Sequence, residues 1–218
     1  MSQITIIGGA YTSDPEQYRH LSDTAGKFGI PLTIFGIGQI HPGDPNVLDT
    51  LIATIEAAPT PYVLCTDTYD TMFCRWDEAE VIEIIEAQPS GRLMSCEASC
   101  WPNGEWCQSY TQGGLWRYIN GGQSCGKRES LADMFHTMKC YDITDNCQER
   151  LHRMHADGYP MGLDTSCRVF QSMSSPARGM KWYGEVVNPV ENTKPMMLHF
   201  NGRTPGIAMW FKHVMEGI

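Results

Sequence analysis

Residues 60–70 read TPYVLCTDTYD and join a short apolar run to two aspartates. The run is rich in β-branched and aromatic side chains and follows a Thr-Pro pair, which predicts a buried strand. Asp67 and Asp70 come at its end, with Tyr69 between them. Two carboxylates this close repel each other, and one takes up a proton unless a cation lies between them. A bound cation is therefore one explanation of the pair.

The chemistry of these aspartates favours a hard divalent ion. Oxygen ligands suit Mg²⁺ or Mn²⁺, and such ions usually keep substrate phosphates as further ligands. The pair thus predicts a metal–diphosphate site at the end of a strand. Its spacing alone leaves two alternatives open. Aspartate is common in turns and at helix N-caps, and a phosphatase-like hydrolase could use such a pair, although that chemistry favours Asp-x-Asp spacing.

The segments before this strand alternate between strand and helix patterns. Strands are predicted at residues 3–9 and 30–38. Helices are predicted at residues 15–28 and 47–59. The order strand, helix, strand, helix, strand predicts an α/β fold with a mostly parallel sheet and crossover helices. Ligands of such sheets bind beyond the carboxyl ends of the strands. Gly8, Gly9 and the Asp67–Asp70 pair all fall at such ends.

The rest of the chain continues the mixture of strands and helices. Helices are predicted at 77–89, 130–141, 144–158 and 207–216, and strands at 91–99, 163–173 and 195–203. Residues 115–126 predict a strand that breaks at Gly121 and Gly122, since glycine weakens a strand interior. No repeat, low-complexity tract or linker interrupts the sequence, so residues 1–218 predict a single domain.

Composition excludes several classes of function. The formal net charge of −9 and the lack of a basic run disfavour binding to nucleic acid. No run of about 18 apolar residues occurs, so no membrane span is expected. The start MSQITIIGGAY lacks the basic region and long apolar run of a signal peptide. These features predict a cytoplasmic protein.

Nine cysteines are present, and none is arranged as C-x-x-C. Cys96, Cys100 and Cys107 cluster, but their spacing fits a zinc site poorly. The composition therefore predicts free, mostly buried thiols in a reducing compartment, with a structural zinc as the minority alternative.

Two later segments offer partners for the aspartates. In HFNGRT, residues 199–204, His199 supplies an imidazole, Gly202 lets a backbone approach closely, and Arg203 supplies a cation for a phosphate. A lone histidine after a strand is nevertheless more often structural. NGGQSCG, residues 120–126, predicts either a close backbone approach to a ligand or a plain tight turn.

Six pieces of sequence now stand in a fixed order: LCTDTYD, CEASCWP, YINGGQSCG, DITDNCQ, LDTSCRVFQ and MLHFNG. In this order they resemble the glycosyltransferase domain of procollagen lysyl hydroxylases and its bacterial and viral relatives, over roughly residues 4–204. The pieces CWP and CRVFQ match nearly letter for letter. The resemblance implies a GT-A fold, which is a Rossmann-like nucleotide-diphospho-sugar transferase fold with a mostly parallel central sheet flanked by helices.

The resemblance also implies roles for individual residues. The implied metal ligands are Asp67, Asp70 and His199. The implied contacts to the nucleotide and its diphosphate are Gly8, Gly9, Ala10, Tyr69, Asn201, Gly202 and Arg203. The implied catalytic and sugar-facing residues are Glu97, Trp101, Asn120 and Asp145. Gly122 would also face the donor sugar, and Asp164 and Gln171 match the segment that borders the pocket. For Trp101, a core position is the alternative to a sugar-stacking one.

The implied reaction transfers glucose or galactose from a UDP-sugar, with Mn²⁺ or Mg²⁺ and with retention of anomeric configuration. The acceptor is an unidentified glycan, protein or small molecule with a hydroxyl group. The acidic run is thinned at residues 142–148, which keeps a second hypothesis open: a divergent GT-A domain that binds a sugar nucleotide or glycan without turnover. A metal-dependent hydrolase using the same aspartates is a third. A bacterial, phage or viral origin is expected.

Overall fold

The computed structural model describes residues 2–102, 104–141, 146–174, 179–202 and 205–217, and all their side chains except those of residues 44 and 45. The strands are β1 (Ile4–Gly9), β2 (Leu32–Phe35), β3 (Tyr62–Asp67), β4 (Thr71–Phe73), β5 (Arg92–Glu97), β6 (Tyr118–Lys127), β7 (Gly162–Leu163), β8 (Phe170–Ser172), β9 (Lys181–Trp182), β10 (Val186–Val187) and β11 (Met197–His199). The α-helices are α1 (Arg19–Lys27), α2 (Asp44–Glu56), α3 (Glu78–Glu86), α4 (Arg128–Cys140), α5 (Cys147–Ala156) and α6 (Ile207–Glu216).

Six strands form the central sheet, in the order β2-β1-β3-β6-β5-β7. Strand β1 is parallel to β2 and β3, and β7 is parallel to β5, whereas β6 runs antiparallel to both of its neighbours. The predicted α/β architecture with a mostly parallel sheet and flanking helices is confirmed. The reversed strand β6 brings its first half alongside the carboxyl end of β3, where the aspartates lie.

Alternation of side chains along the strands builds a core on each face of this sheet. Ile7 pairs with Cys65, and both belong to a cluster with residues of α2, α4 and α5. Their neighbours Ile6 and Leu64 pair on the opposite face and belong to a cluster that includes α1 and α3. The continuous apolar run in β3 follows from this double burial, because both faces of the strand are covered.

A second sheet of three strands, in the order β4-β11-β8, lies beside the first. Only residues 68–70 separate β3 from β4, so the chain passes from one sheet to the other within the aspartate motif. Strand β11 is antiparallel to β4 and pairs His199 with Thr71. This register brings His199 beside a motif more than a hundred residues earlier in the chain.

Two local predictions were wrong. Strand β6 does not end at its glycines but continues to Lys127, because β3 and β5 both pair with it beyond them; the glycines are marked only by a shift in its register with β5, between Ile119 and Ser124. Cys100 and Cys107 are not free thiols: they form a disulfide with their Cα atoms 5.9 Å apart. Cys107 lies within the 3-10 helix Gly104–Ser109. Among the described residues, the buried cysteines outside this disulfide are Cys65, Cys74, Cys96, Cys125 and Cys167.

Along the part of the chain that the structure describes, no helix combines the length and apolar character needed to span a bilayer. The assignment of residues 1–218 to one domain stays a prediction.

Candidate active site

Asp67, Asp70 and His199 converge at the junction of the two sheets. The His199 Nε2 atom lies 3.4 Å from Oδ2 of Asp67 and 3.3 Å from Oδ1 of Asp70. One ligand atom from each residue lies within 4.8 Å of the others. His199 is 2% exposed, whereas the Asp67 side chain keeps 56% of its surface open to the cleft. The three residues therefore form a cluster with a buried imidazole at its base and carboxylates at its mouth.

Charge within this cluster shifts two pKa values. Protein atoms packed around the Asp67 carboxyl within the cleft keep water from part of it, and with the neighbouring charge of Asp70 they raise the pKa of Asp67 to about 6, although His199 opposes the shift. Burial also disfavours a charged imidazole. The hydrogen bond to Asp70 and the charge of Asp67 outweigh that effect, so the pKa of His199 lies above its usual value. Without a metal, the positive charge between the two carboxylates is therefore the proton on His199. A divalent cation can take the place of that proton.

Asn120 fixes the orientation of the His199 ring. The backbone N–H of Gly122 can only donate, and it lies 3.1 Å from Oδ1 of Asn120, which identifies that atom as the oxygen. The Nδ1 atom of His199 lies 3.0 Å from the same oxygen and therefore donates its hydrogen there. When His199 is neutral, its Nε2 carries the lone pair and faces the two carboxylates. This is the tautomer that a metal ligand requires.

Glu97 lies below the cluster and is 4% exposed. Its Oε1 atom accepts hydrogen bonds from Gln148 at 2.6 Å and Asn120 at 3.4 Å, and its Oε2 atom accepts one from Asn201 at 2.9 Å. Burial raises the pKa of Glu97, and these donors oppose that rise. The carboxylate is therefore the centre of a buried hydrogen-bond network, which reaches His199 through Asn120.

Glycine is required at Gly122 by the closeness of the metal cluster. A Cβ atom there would lie 2.3 Å from Cε1 of His199 and 2.5 Å from Oδ2 of Asp67. At Gly9 a Cβ would lie 2.8 Å from the ring of Phe35, and at Gly8 2.5 Å from the methyl group of Thr68. These close packings need glycine whether or not a ligand is bound.

A cleft of about 270 Å³ opens beside the cluster, with Gly9, Asp67 and Gly122 in its wall. Tyr69 lines it at 45% exposure and accepts a hydrogen bond from the backbone N–H of Tyr11, at 2.8 Å. Aromatic rings gather at this end of the cleft, from Tyr11, Phe35, His41 and Tyr69. A flat, polar-edged ligand group fits such a wall.

Trp101 is not a core residue: it is 52% exposed. Its backbone carbonyl accepts hydrogen bonds from Gln148 Nε2 at 3.0 Å and His152 Nε2 at 2.7 Å, both on α5. Gln148 also accepts from the backbone N–H of Gly121 at 2.9 Å. Helix α5 thus links the Trp101 segment to Glu97 and to the glycines of β6.

The remaining predicted residues are distributed unevenly. Ala10 is buried, and Asn201 belongs to the Glu97 network. Gly202 has a positive φ of 68°. Asp164 caps a turn by accepting from the backbone N–H groups of 168–170, and Gln171 bonds to Asn188. Asp145 and Arg203 lie outside the described residues.

Sequence reasoning missed two residues. In the sequence, Gln148 is only the last residue of the acidic run at 142–148. No sequence pattern marks a glutamine in a helix as the centre of a hydrogen-bond network. Tyr11 comes two residues after the Gly8-Gly9 pair, and its position after a parallel strand is the signal that could identify it.

The PLOD GT domain family model matches residues 2–207. A multifunctional procollagen lysine hydroxylase and glycosyltransferase from Caenorhabditis elegans is 22% identical over 224 residues, covering 90% of this chain. The chain spans 30% of the length of that relative.

Two solved structures are similar in fold. One is a glycosyltransferase involved in the glycosylation of the major capsid of PBCV-1, with a TM-score of 0.61, 11% identity and coverage of 98% of both chains. The other is the galactosyltransferase LgtC in complex with donor and acceptor sugar analogues, with a TM-score of 0.57 and 12% identity, covering 97% of this chain and 95% of the other.

Proposed function

Because this chain belongs to the family of PLOD glycosyltransferase domains, we propose that it transfers glucose or galactose from a UDP-sugar to a hydroxyl acceptor, with the help of a divalent metal ion. The chain is a glycosyltransferase of GT-A type. The observation that carries the finer proposal is the convergence of Asp67, Asp70 and His199 at the mouth of the cleft.

The three side chains fit a divalent cation in both charge and ligand type. Two carboxylates and one neutral imidazole suit Mn²⁺ or Mg²⁺, and the exposed face of Asp67 leaves room for the oxygens of a diphosphate. A cation bound there supplies positive charge beside the leaving diphosphate. We place Mn²⁺ first because the family resemblance implies it.

The chain's own residues then divide the remaining tasks. The aromatic end of the cleft, with Tyr69 and Tyr11, suits the nucleoside. Because Gly122 has no side chain, His199 and Asp67 can pack directly against its backbone. Glu97 and Asn120 keep the His199 imidazole in its ligand tautomer. The roles of Arg203 beside the diphosphate and of Asp145 beside the anomeric carbon, and retention of configuration, remain part of the proposal on the strength of the resemblance.

Release of UDP by the purified protein tests this function. Each of several UDP-sugars is incubated with Mn²⁺, with and without an acceptor mixture, and UDP is measured. We expect turnover with UDP-glucose or UDP-galactose that stops in excess chelator and returns when Mn²⁺ is restored. Undiminished turnover in excess chelator would overturn the metal assignment, and phosphate release from generic phosphoesters without any sugar-nucleotide preference would favour the hydrolase.

A second candidate is binding without turnover. Asn146 and Cys147 stand where the family often has further acids, and Asn146 serves as the N-cap of α5 by accepting from the backbone N–H of Glu149 at 3.0 Å. An asparagine amide has no titratable proton, so Asn146 cannot take the place of a catalytic carboxyl group. Stabilisation of the fold by UDP and Mn²⁺ in a melting assay, with no UDP released from any donor, would favour this candidate.

A further inference from the structure

We propose that the buried hydroxyl groups of Thr68 and Thr71 are positioning groups for the metal. They fix the turn that joins Asp67 to Asp70, so that the two carboxylates are already placed for a cation when none is bound. This inference rests on the proposed function, because it assigns a further task at the same metal cluster. It adds residues that touch neither the ion nor the substrate.

The turn between the two aspartates has to resist their repulsion. Two neighbouring carboxylates repel each other when no cation lies between them. Residues 68–70 connect β3 to β4 and carry the chain from the large sheet to the small one. This connection lies outside both strands, so the ladder hydrogen bonds of the sheets do not hold it. Other bonds must keep it closed if the carboxylates are to stay together in the metal-free protein.

Thr71 closes the turn on itself. Its hydroxyl group donates to the backbone carbonyl of Asp67, four residues earlier. Thr71 is also the first residue of β4, is completely buried, and pairs with His199 in the small sheet. One residue therefore connects Asp67, through its side chain, to the strand of His199, through its backbone.

A polar contact beneath the turn orients this hydroxyl group. The Oγ1 atom of Thr66 lies 3.3 Å from Oγ1 of Thr71 and accepts a hydrogen bond from Nε2 of Gln123 at 3.3 Å. Thr66 and Gln123 pair across β3 and β6, and both are buried. The Thr71 hydroxyl group therefore lies against side chains that belong to the large sheet.

Thr68 ties the middle of the turn to β1. Its hydroxyl group donates to the backbone carbonyl of Gly9 at 2.6 Å, and the residue is 1% exposed. Its methyl group lies so close to Gly8 that a Cβ atom there would be 2.5 Å away. Asp70 is held separately, since its backbone carbonyl accepts from the N–H of Phe200 at 2.8 Å. The turn is thus bonded to β1, to itself and to the residue that follows β11.

The choice of threonine at both positions points to the hydroxyl group rather than to shape. Valine has the same branched outline and suits a buried site better, because a buried hydroxyl group costs free energy unless it is bonded. The alternative is that the hydroxyl groups only satisfy carbonyls that the turn leaves unpaired. Both explanations predict some loss of stability without the hydroxyl group, but only positioning predicts a change in metal binding.

Calorimetric titration of the full chain with Mn²⁺, Mg²⁺ and Ca²⁺ tests the inference. In Thr71→Val, which keeps the shape and loses the hydroxyl group, we expect the affinity for Mn²⁺ to fall about 10- to 100-fold. Mg²⁺ demands near-ideal geometry whereas Ca²⁺ accepts irregular ligands, so the loss should be larger for Mg²⁺ than for Ca²⁺. Thr71→Ser restores the hydroxyl group and should restore most of the affinity.

Thr193→Val is the matched control, since that hydroxyl group donates to the carbonyl of Ser166, outside the aspartate motif. It should leave the affinity for all three ions unchanged, even where thermal unfolding shows a lower melting temperature. Thr68→Val tests the second bond, keeps the methyl group against Gly8 and should also lower the affinity for Mn²⁺. It decides the question if Thr71→Val does not fold.

Native affinity for Mn²⁺ in the folded valine variants of Thr68 and Thr71 overturns this inference and leaves the proposed function standing. Equal losses for Mg²⁺ and Ca²⁺, or no recovery in Thr71→Ser, also overturn it, because the threonines would then only support the fold. A native chain that binds none of the three ions overturns the inference together with the metal assignment.

Discussion

Glu97 and the pair Asp67–Asp70 are carboxylates of one site with opposite surroundings. Glu97 is buried, and donors reach both of its oxygens. Asp67 and Asp70 open to the cleft, and within the described residues both face the same nitrogen, Nε2 of His199. A carboxylate such as Glu97, whose oxygens already accept hydrogen bonds from the protein, has a structural role. Carboxylates that share one donor and face each other need a ligand to complete them.

The largest effect should come from the residue that the two carboxylates share. His199→Ala removes the buried ligand, and we expect metal-dependent UDP release to fall by about a hundredfold to a thousandfold. The measurement is kcat/KM at saturating Mn²⁺. His136→Ala is the matched control, since His136 is exposed and pairs with Glu56 away from the cleft. Equal losses in the two variants would contradict the assignment.

The next effect should come from the residue that joins the two regions. Asn120→Leu removes the acceptor for Nδ1 of His199 and the link to Glu97, and we expect the affinity for Mn²⁺ to drop about 10- to 100-fold. Calorimetric titration with Mn²⁺ measures it. Asn188→Leu removes a buried asparagine bonded to Gln171 elsewhere and should leave Mn²⁺ affinity unchanged. If the Asn120→Leu protein bound Mn²⁺ as tightly as the native chain, the orientation of the His199 ring would not limit metal binding.

Protons and metal should compete at the open carboxylates. The pKa of Asp67 is raised to about 6 and that of His199 lies above its usual value, so both hold protons more tightly than free side chains do. Metal binds their deprotonated forms, so its apparent affinity should rise with pH. Between pH 7.5 and 5.5 we expect a loss of up to about tenfold per unit for each proton that must leave. Titrations at pH 7.5, 6.5 and 5.5 measure the slope, and a flat profile contradicts the competition.

The smallest effect concerns stability and separates the two kinds of carboxylate. Glu97→Gln replaces an acceptor oxygen with a donor against groups that already donate, and should cost about 1–3 kcal/mol of unfolding free energy. Asp67→Asn should leave the metal-free protein at least as stable, because it removes a repelling charge. Thermal unfolding without metal measures both, with Glu86→Gln at the exposed pair with Lys127 as the control. Equal destabilisation by Asp67→Asn and Glu97→Gln would contradict the distinction between a ligand-binding and a structural carboxylate.

Local sequence predicted the part of the site that local spacing controls. Asp67 and Asp70 end an apolar run, and strand ends in an α/β sheet are where ligands bind. The segment HFNGRT offers His199 as one possible partner, but only the resemblance assigns it to the metal, because spacing cannot relate residues so far apart in the sequence. The role of Asn120 could not be read, since it depends on the antiparallel register of β6. The continuation of β6 past its glycines likewise depends on pairing with β3 and β5, which overrides the weak strand preference of glycine. The Cys100–Cys107 disulfide joins residues seven apart, a spacing that carries no signature of its own.

The metal cluster also joins two sheets that, within the described residues, have no strand in common. Asp67 ends a strand of the large sheet, His199 ends β11 of the small one, and Asp70 lies in the short connection between them. An ion bound by Asp67, Asp70 and His199 would link the two sheets, so its binding free energy would oppose their separation. Amide hydrogens of β4 and β11 should then exchange more slowly once the ion is bound. Slower exchange in the small sheet would thereby report that the site is loaded.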